Sequence, residues 1–185
     1  FDILIDPRDN NKKYKIVNID NQIWMAENLN FQTSTGSCCY ENRDSNCKIY
    51  GRLYNWEAAK TACPPGWKLP TEDEWQTLIT RLGGPDVAGG KLKSTEGWNS
   101  PNTGATNIYG FSALPGGGGS GGGIDKYYSI GRYAMFWTNT QSEFTKNDSI
   151  FIEGFMLDYD KNEIGSIATV RSSFLSVRCI KDDAK

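Results

Sequence analysis

The stretch Leu69-Pro70-Thr71-Glu72-Asp73-Glu74-Trp75 decides how the chain is read. Thr71 is placed to accept from the amide three residues on, while Glu74 reaches back to the amide of Thr71, the reciprocal bonding of a capping box. A helix therefore starts after Thr71. Trp75, Leu78, Ile79 and Leu82 follow at i, i+3, i+4 and i+7, a bulky apolar stripe on one face, and Gly83-Gly84 stops the run. Stripes of this kind usually end in a core, so Trp75 is expected inside the protein.

Upstream, Asn55 can cap a helix through Trp56, Ala59 and Cys63 that ends at Pro64-Pro65-Gly66, with Trp56 also expected in the core. Earlier still, Tyr14-Lys15-Ile16-Val17-Asn18-Ile19 and Gln22-Ile23-Trp24-Met25 flank Asp20-Asn21 and predict a β-hairpin. Beyond Gly90 the period changes. Trp98, Tyr109, Phe111, Trp137, Phe151 and Phe155 are spread among Gly, Asn, Ser and Thr, the texture of short strands joined by long loops. Residues 149–159 and 164–170 flank Asp160-Lys161-Asn162-Glu163 as a second hairpin, and a final strand is expected over 174–180. Asp158, Asp160 and Asn162 alternate like calcium ligands. The sixth position that should be glycine is Glu163 and the twelfth is Thr169, so turn chemistry is the better reading and no metal is expected.

The chain has 185 residues, enough for one domain with a sizeable core and without a polar linker to divide it, so residues 1–185 are read as a single domain. A formal net charge of −2 and the lack of any Lys/Arg run argue against nucleic acid. The apolar runs are far too short for membrane insertion, and the opening at Phe1 without a leader reads as a trimmed, mature segment. Without any histidine there is no imidazole base and no His-containing zinc site. The five cysteines, Cys38, Cys39, Cys47, Cys63 and Cys179, lack paired C-x-x-C spacing. Disulfides are the better reading, with an extracellular or cell-surface address.

Five phrases then line up in order: Gln22-Ile23-Trp24-Met25-Ala26-Glu27-Asn28-Leu29-Asn30, Tyr50-Gly51-Arg52-Leu53-Tyr54-Asn55-Trp56, Cys63-Pro64-Pro65-Gly66-Trp67-Lys68-Leu69-Pro70, Tyr109-Gly110-Phe111-Ser112-Ala113-Leu114-Pro115-Gly116-Gly117 and Ser176-Val177-Arg178-Cys179. Together they resemble the Fibrobacter succinogenes major paralogous domain family, over a core of about residues 6–181. That family looks like a branch of the C-type-lectin-like fold shared with formylglycine-generating enzymes. The resemblance implies an α+β domain, two helices packed on a small twisted antiparallel sheet with long loops. It also implies two disulfides, Cys63 with Cys179 and Cys39 with Cys47, which leaves Cys38 over.

Only one cysteine lies near the C-terminal end, and its implied partner would consume its thiolate, so the chain is expected to be non-catalytic and to need no cofactor. The leading expectation is a recognition module for a polysaccharide or a cell-envelope protein, with a structural or assembly domain as the alternative. Its contacts are expected on the loop-rich side, around Trp98, Tyr109, Asp125, Tyr127 and Tyr128, where rings can stack on sugar faces and polar neighbours can bond hydroxyls. The lectin triplets Glu-Pro-Asn and Gln-Pro-Asp are absent, so binding should be insensitive to chelators. Residues 116–123, almost all glycine, have the composition of a flexible linker and are expected to form a mobile loop.

Overall fold

The computed structural model describes residues 2–121, 127–146 and 149–182. The chain begins with β1 (Asp2–Asp6), β2 (Lys12–Ile19) and β3 (Gln22–Met25). It continues through β4 (Ser37–Cys38), α1 (Asp44–Tyr50), β5 (Leu53–Tyr54), α2 (Trp56–Ala62), β6 (Trp67–Lys68), α3 (Glu72–Arg81) and α4 (Pro85–Leu92). Then come β7 (Gly118–Gly119), β8 (Tyr127–Tyr128), β9 (Tyr133–Lys146), β10 (Ser149–Asp158), β11 (Ile164–Val170), β12 (Leu175–Ser176) and β13 (Ile180–Lys181). The result is an α+β fold, mostly β, in which one sheet runs β1-β2-β3-β13-β6, a second β11-β10-β9-β12-β5-β4, and β7 pairs with β8.

Both expected helices form where their caps lie. The Asn55 side chain accepts from Ala58 at the start of α2, and Thr71 and Glu74 make the full capping box at the start of α3. Trp75 is completely buried, its ring centroid 4.9 Å from that of Trp24 and 5.4 Å from those of Phe136 and Phe155. Five aromatic rings, counting Phe111 at 5.8 Å from Trp75, thus join α3 to strands of both large sheets. Trp56 is buried too and donates from Nε1 to the carbonyl of Thr138 at 3.0 Å. The hairpins form in the expected places, with Val17 opposite Trp24 around a left-handed Asp20 and Phe155 opposite Ser166 across the turn at 160–163.

The disulfides are Cys39–Cys47 and Cys63–Cys179, and Cys38 keeps a half-buried free thiol. In four respects the structure departs from the sequence reading. Two further helices, α1 and α4, accompany the expected pair. Helix α4 carries Gly89-Gly90, poor helix formers, because it lies hard against a turn. A Cβ on Gly89 would sit 2.2 Å from the carbonyl oxygen of Glu163 and one on Gly90 2.3 Å from that of Gly104. Second, β9 is 14 residues long, not short.

Third, the expected final strand is two strands in different sheets. Ser176 pairs with Leu53 and Phe136, whereas Ile180 pairs with Trp24 and Lys68. The intervening Val177, Arg178 and Cys179 are wholly buried and carry the chain from one sheet to the other. Fourth, the glycine run is not a loose loop over its first half. Residues 116–119 are buried, Gly119 exchanges backbone bonds of 2.9 and 2.7 Å with Phe174, and the Gly117 amide donates to Tyr133 at 2.9 Å. Gly117 has φ +65°, and a Cβ there would lie 2.6 Å from the Tyr128 carbonyl oxygen, so glycine is demanded by packing and not by flexibility. Gly122 and Gly123 lie outside the described residues.

Candidate functional site

The crossing between the sheets builds the site. Arg178 is fully buried, yet its hydrogen bonds all go to neutral acceptors. Nε and Nη2 donate to Asn28 Oδ1 at 3.2 and 2.7 Å, Nη1 to the carbonyls of Met25 and Phe111, and Nη2 to that of Ser112 at 3.3 Å. The guanidinium also stacks on Phe111, 4.4 Å from the ring centroid. Burial pulls its pKa down to about 9, an effect partly offset by the Glu27 carboxylate. One planar, five-donor group therefore pins the segment after β3 and the loop carrying Phe111 and Ser112 to the same point.

Over that point lies a groove of about 430 Å³. Its walls are Lys12, Tyr14 and Lys15 of β2, Glu27, Asn28 and Asn30, the end of α1 at Cys47, Lys48 and Ile49, and Asn107, Ser112 and Leu114. Asn107 belongs also to an adjoining depression of about 540 Å³, bounded by Asp2, Ile16 to Asn18 in β2, and Ile108 to Gly110. Ile108 and Tyr109 stand 68% and 42% exposed at that end.

The walls are held by their own bonds. Asn107 donates from Nδ2 to Ser112 Oγ at 2.9 Å and accepts from the Ser112 amide at 2.8 Å. Asn28 donates to the Tyr50 carbonyl at 2.8 Å, joining the arginine network to the end of α1. The Cys39–Cys47 disulfide fixes the middle of α1 to the preceding loop. Tyr14 forms the floor, its buried hydroxyl accepting from the Asn30 amide at 3.2 Å and its pKa pushed up to about 12 by burial. Glu27 accepts from the Lys15 amide at 2.6 Å, and the Lys12 ammonium sits 5.4 Å above the Tyr14 ring. A groove whose Asn28 and Asn107 walls are braced from within, lined by ammonium groups, a carboxylate and the Asn30 amide and with an exposed ring at one end, is suited to holding a polar, extended ligand by many modest contacts.

The residues expected to bind occupy different neighbourhoods. Tyr109 lines the depression. Trp98 packs partly buried against the core, donates to the Ala113 carbonyl at 3.0 Å and lies 5.4 Å from the buried Lys93 ammonium. Tyr127 donates to Asn42 Oδ1 at 3.1 Å and leans on Tyr40 at 5.1 Å between centroids. Burial raises the Tyr127 pKa, helped by its hydrogen bond with Cys38, whose own thiol burial also pushes up. Tyr128, on the other face of β8, is 40% exposed beside Gly118. Asp125 lies outside the described residues. The groove residues Lys12, Lys15, Asn28, Asn30 and Lys48 were not singled out as binding residues by the sequence, although Asn28 and Asn30 stand inside one of the quoted phrases. A signal existed in that phrase, whose polar Glu27-Asn28 and Asn30 interrupt the apolar run where a strand would continue.

Fold and site together define a disulfide-linked α+β domain with a polar groove. The family model of the Fibrobacter succinogenes major domain matches residues 17–181, and the chain belongs to that family. No curated protein and no solved structure matches it.

Proposed function

We propose that this chain is a non-catalytic recognition module of a secreted or surface protein and that a polysaccharide segment lies in the groove. The observation that carries this reading is that Asn107 lines both the groove and the Tyr109 depression, which sets the two side by side. Along them a strand of sugars meets side-chain amides and ammonium groups first and an exposed aromatic ring last, the pairing of polar edges and apolar faces that pyranoses present. Two disulfides support an oxidising address. We read the fold as C-type-lectin-like, supported by the bond from the residue after α2, Cys63, to Cys179 beside the last strand. Titration of soluble oligosaccharides by NMR tests the reading. Shifts should map to Asn30, Asn107 and Tyr109, and Tyr109→Ala and Asn30→Ala should each weaken binding. Binding unchanged in both variants would remove the ligand from the groove.

The alternative, an assembly domain, draws on Ile3 and Ile5, each 51% exposed on the edge strand β1. Ile3→Ser/Ile5→Ser should then abolish capture of an envelope protein and leave sugar binding intact.

A further inference from the structure

We infer that the groove selects anionic glycans, chains bearing carboxylate or sulfate groups, over neutral ones; this rests on the polysaccharide reading above. The protein's formal net charge is −2, but the groove's charge has the opposite sign. Its lining brings Lys12, Lys15 and Lys48 together against a single carboxylate, Glu27. Lys12 and Lys15 come from β2, Lys48 from α1 and Glu27 from the segment after β3, so the tertiary fold adds a distant cation to the local lysines of β2.

A fourth cation lies behind the wall. Arg178 is buried, its bonds run to the neutral oxygens of Asn28, Met25, Phe111 and Ser112, and Asn28 and Ser112 themselves line the groove. A buried charge is screened far less than an exposed one, and its field reaches the groove through a thin layer of protein. A space of about 430 Å³ is on the order of one Debye length across at physiological salt, so an anion inside it feels all four cations. A neutral hydroxyl gains little from them, whereas a carboxylate or sulfate is bonded and attracted at once. The Tyr109 end, with Asp2 beside it, is left for the uncharged face of the chain.

The test titrates the full chain with oligogalacturonate, with the same oligomer after reduction of its carboxyl groups, and with a sulfated galactan oligomer, at low and at physiological salt. The oligogalacturonate should bind more tightly than its reduced form, and the preference should shrink as salt rises. Lys15→Gln/Lys48→Gln, both at exposed positions, should weaken acidic binding by about threefold to tenfold, the combined scale of two surface charge contacts, and leave the reduced oligomer unchanged. The sulfated arm separates the sources: equal binding assigns selection to charge, and rejection of sulfate assigns it to the carboxylate. Equal affinity for oligogalacturonate and its reduced form would overturn the inference while leaving the groove reading standing. Binding of none of the three would overturn both.

Discussion

Replacing Cys63 and Cys179 together by alanine removes the covalent tie between the end of α2 and the segment that crosses between the sheets. The two residues are 116 apart in sequence, and the loop-closure entropy released to the unfolded chain corresponds to about 5 kcal/mol. The Cys39–Cys47 bridge closes a separation of only 8, for about 2.5 kcal/mol on the same model. All four cysteines are buried, so the lost sulfur contacts are similar and the difference between the double variants isolates the loop term. A domain of ordinary stability would lose a third or more of its folding free energy. In urea the midpoint should fall by roughly 2 M for Cys63→Ala/Cys179→Ala and by about half as much for Cys39→Ala/Cys47→Ala. Equal shifts, or a larger one for the short loop, would refute the reasoning, because the stabilisation would then come from something other than restriction of the unfolded chain.

Trp75→Ala should cost about 3–5 kcal/mol by urea melt, since the indole contacts four other buried rings, and an unchanged midpoint would show that this cluster is not the core's keystone. Gly117→Ala should cost about 1–3 kcal/mol, because the backbone is left-handed there and a Cβ meets the Tyr128 carbonyl; a neutral result would restore the loose-loop reading. Stability should rise with alkalinity before it falls. Burial holds the Lys93 pKa down to about 8, below its unfolded value, so above pH 8 the unfolded chain binds the extra proton and the folded state gains, by about 2 kcal/mol near pH 9.5. The lowered pKa of Arg178, about 9, adds to the gain in the same sense, and only toward pH 11 does the order reverse. Tyr14 and Tyr54 keep their protons when folded and lose them when unfolded, so stability declines; melts from pH 7 to 11 in a Cys38→Ser background check both limbs.

What the sequence made legible was local. Caps, hairpin turns and a helical stripe are written in neighbouring residues, and Asn55, Thr71, Glu74 and Trp75 all do what their spacing implies. Helix α4 was illegible because the reason for its glycines is a turn some 70 residues away; its Pro85, placed at the first turn, was the one local signal. The glycine run misled for the same reason. Composition records the absence of side chains, not whether the space is open or filled by Met135, Tyr128 and Ser172. The groove escaped because its walls come from separate elements: Lys12 and Lys15 stand close together on β2, but Glu27, Lys48 and Asn107 reach them only through folding. Of the aromatic residues expected to bind, Trp98 and Tyr127 use their polar atoms on Ala113 and Asn42, bonds between distant residues that no local pattern announces.

The groove and the crossing between the two sheets share one group. A segment that leaves one sheet at Ser176 and enters another at Ile180 must cross the interior, where backbone oxygens at the end of β3 and in the loop of Phe111 and Ser112 need donors. The chain meets that demand at one step with Arg178, whose fixed fork satisfies the carbonyls of Met25, Phe111 and Ser112 and orients Asn28. An apolar side chain there would leave those acceptors bare, and a lysine, with one nitrogen in place of three, could not span them. The cost is a buried charge whose hydrogen bonds all go to neutral oxygens, felt as a pKa that burial lowers and Glu27 only partly restores. The groove wall is built from two of the segments this charge holds, so an anion bound there would supply the counter-charge that the interior lacks. Closure of the fold and bracing of the groove wall thus meet in a single guanidinium.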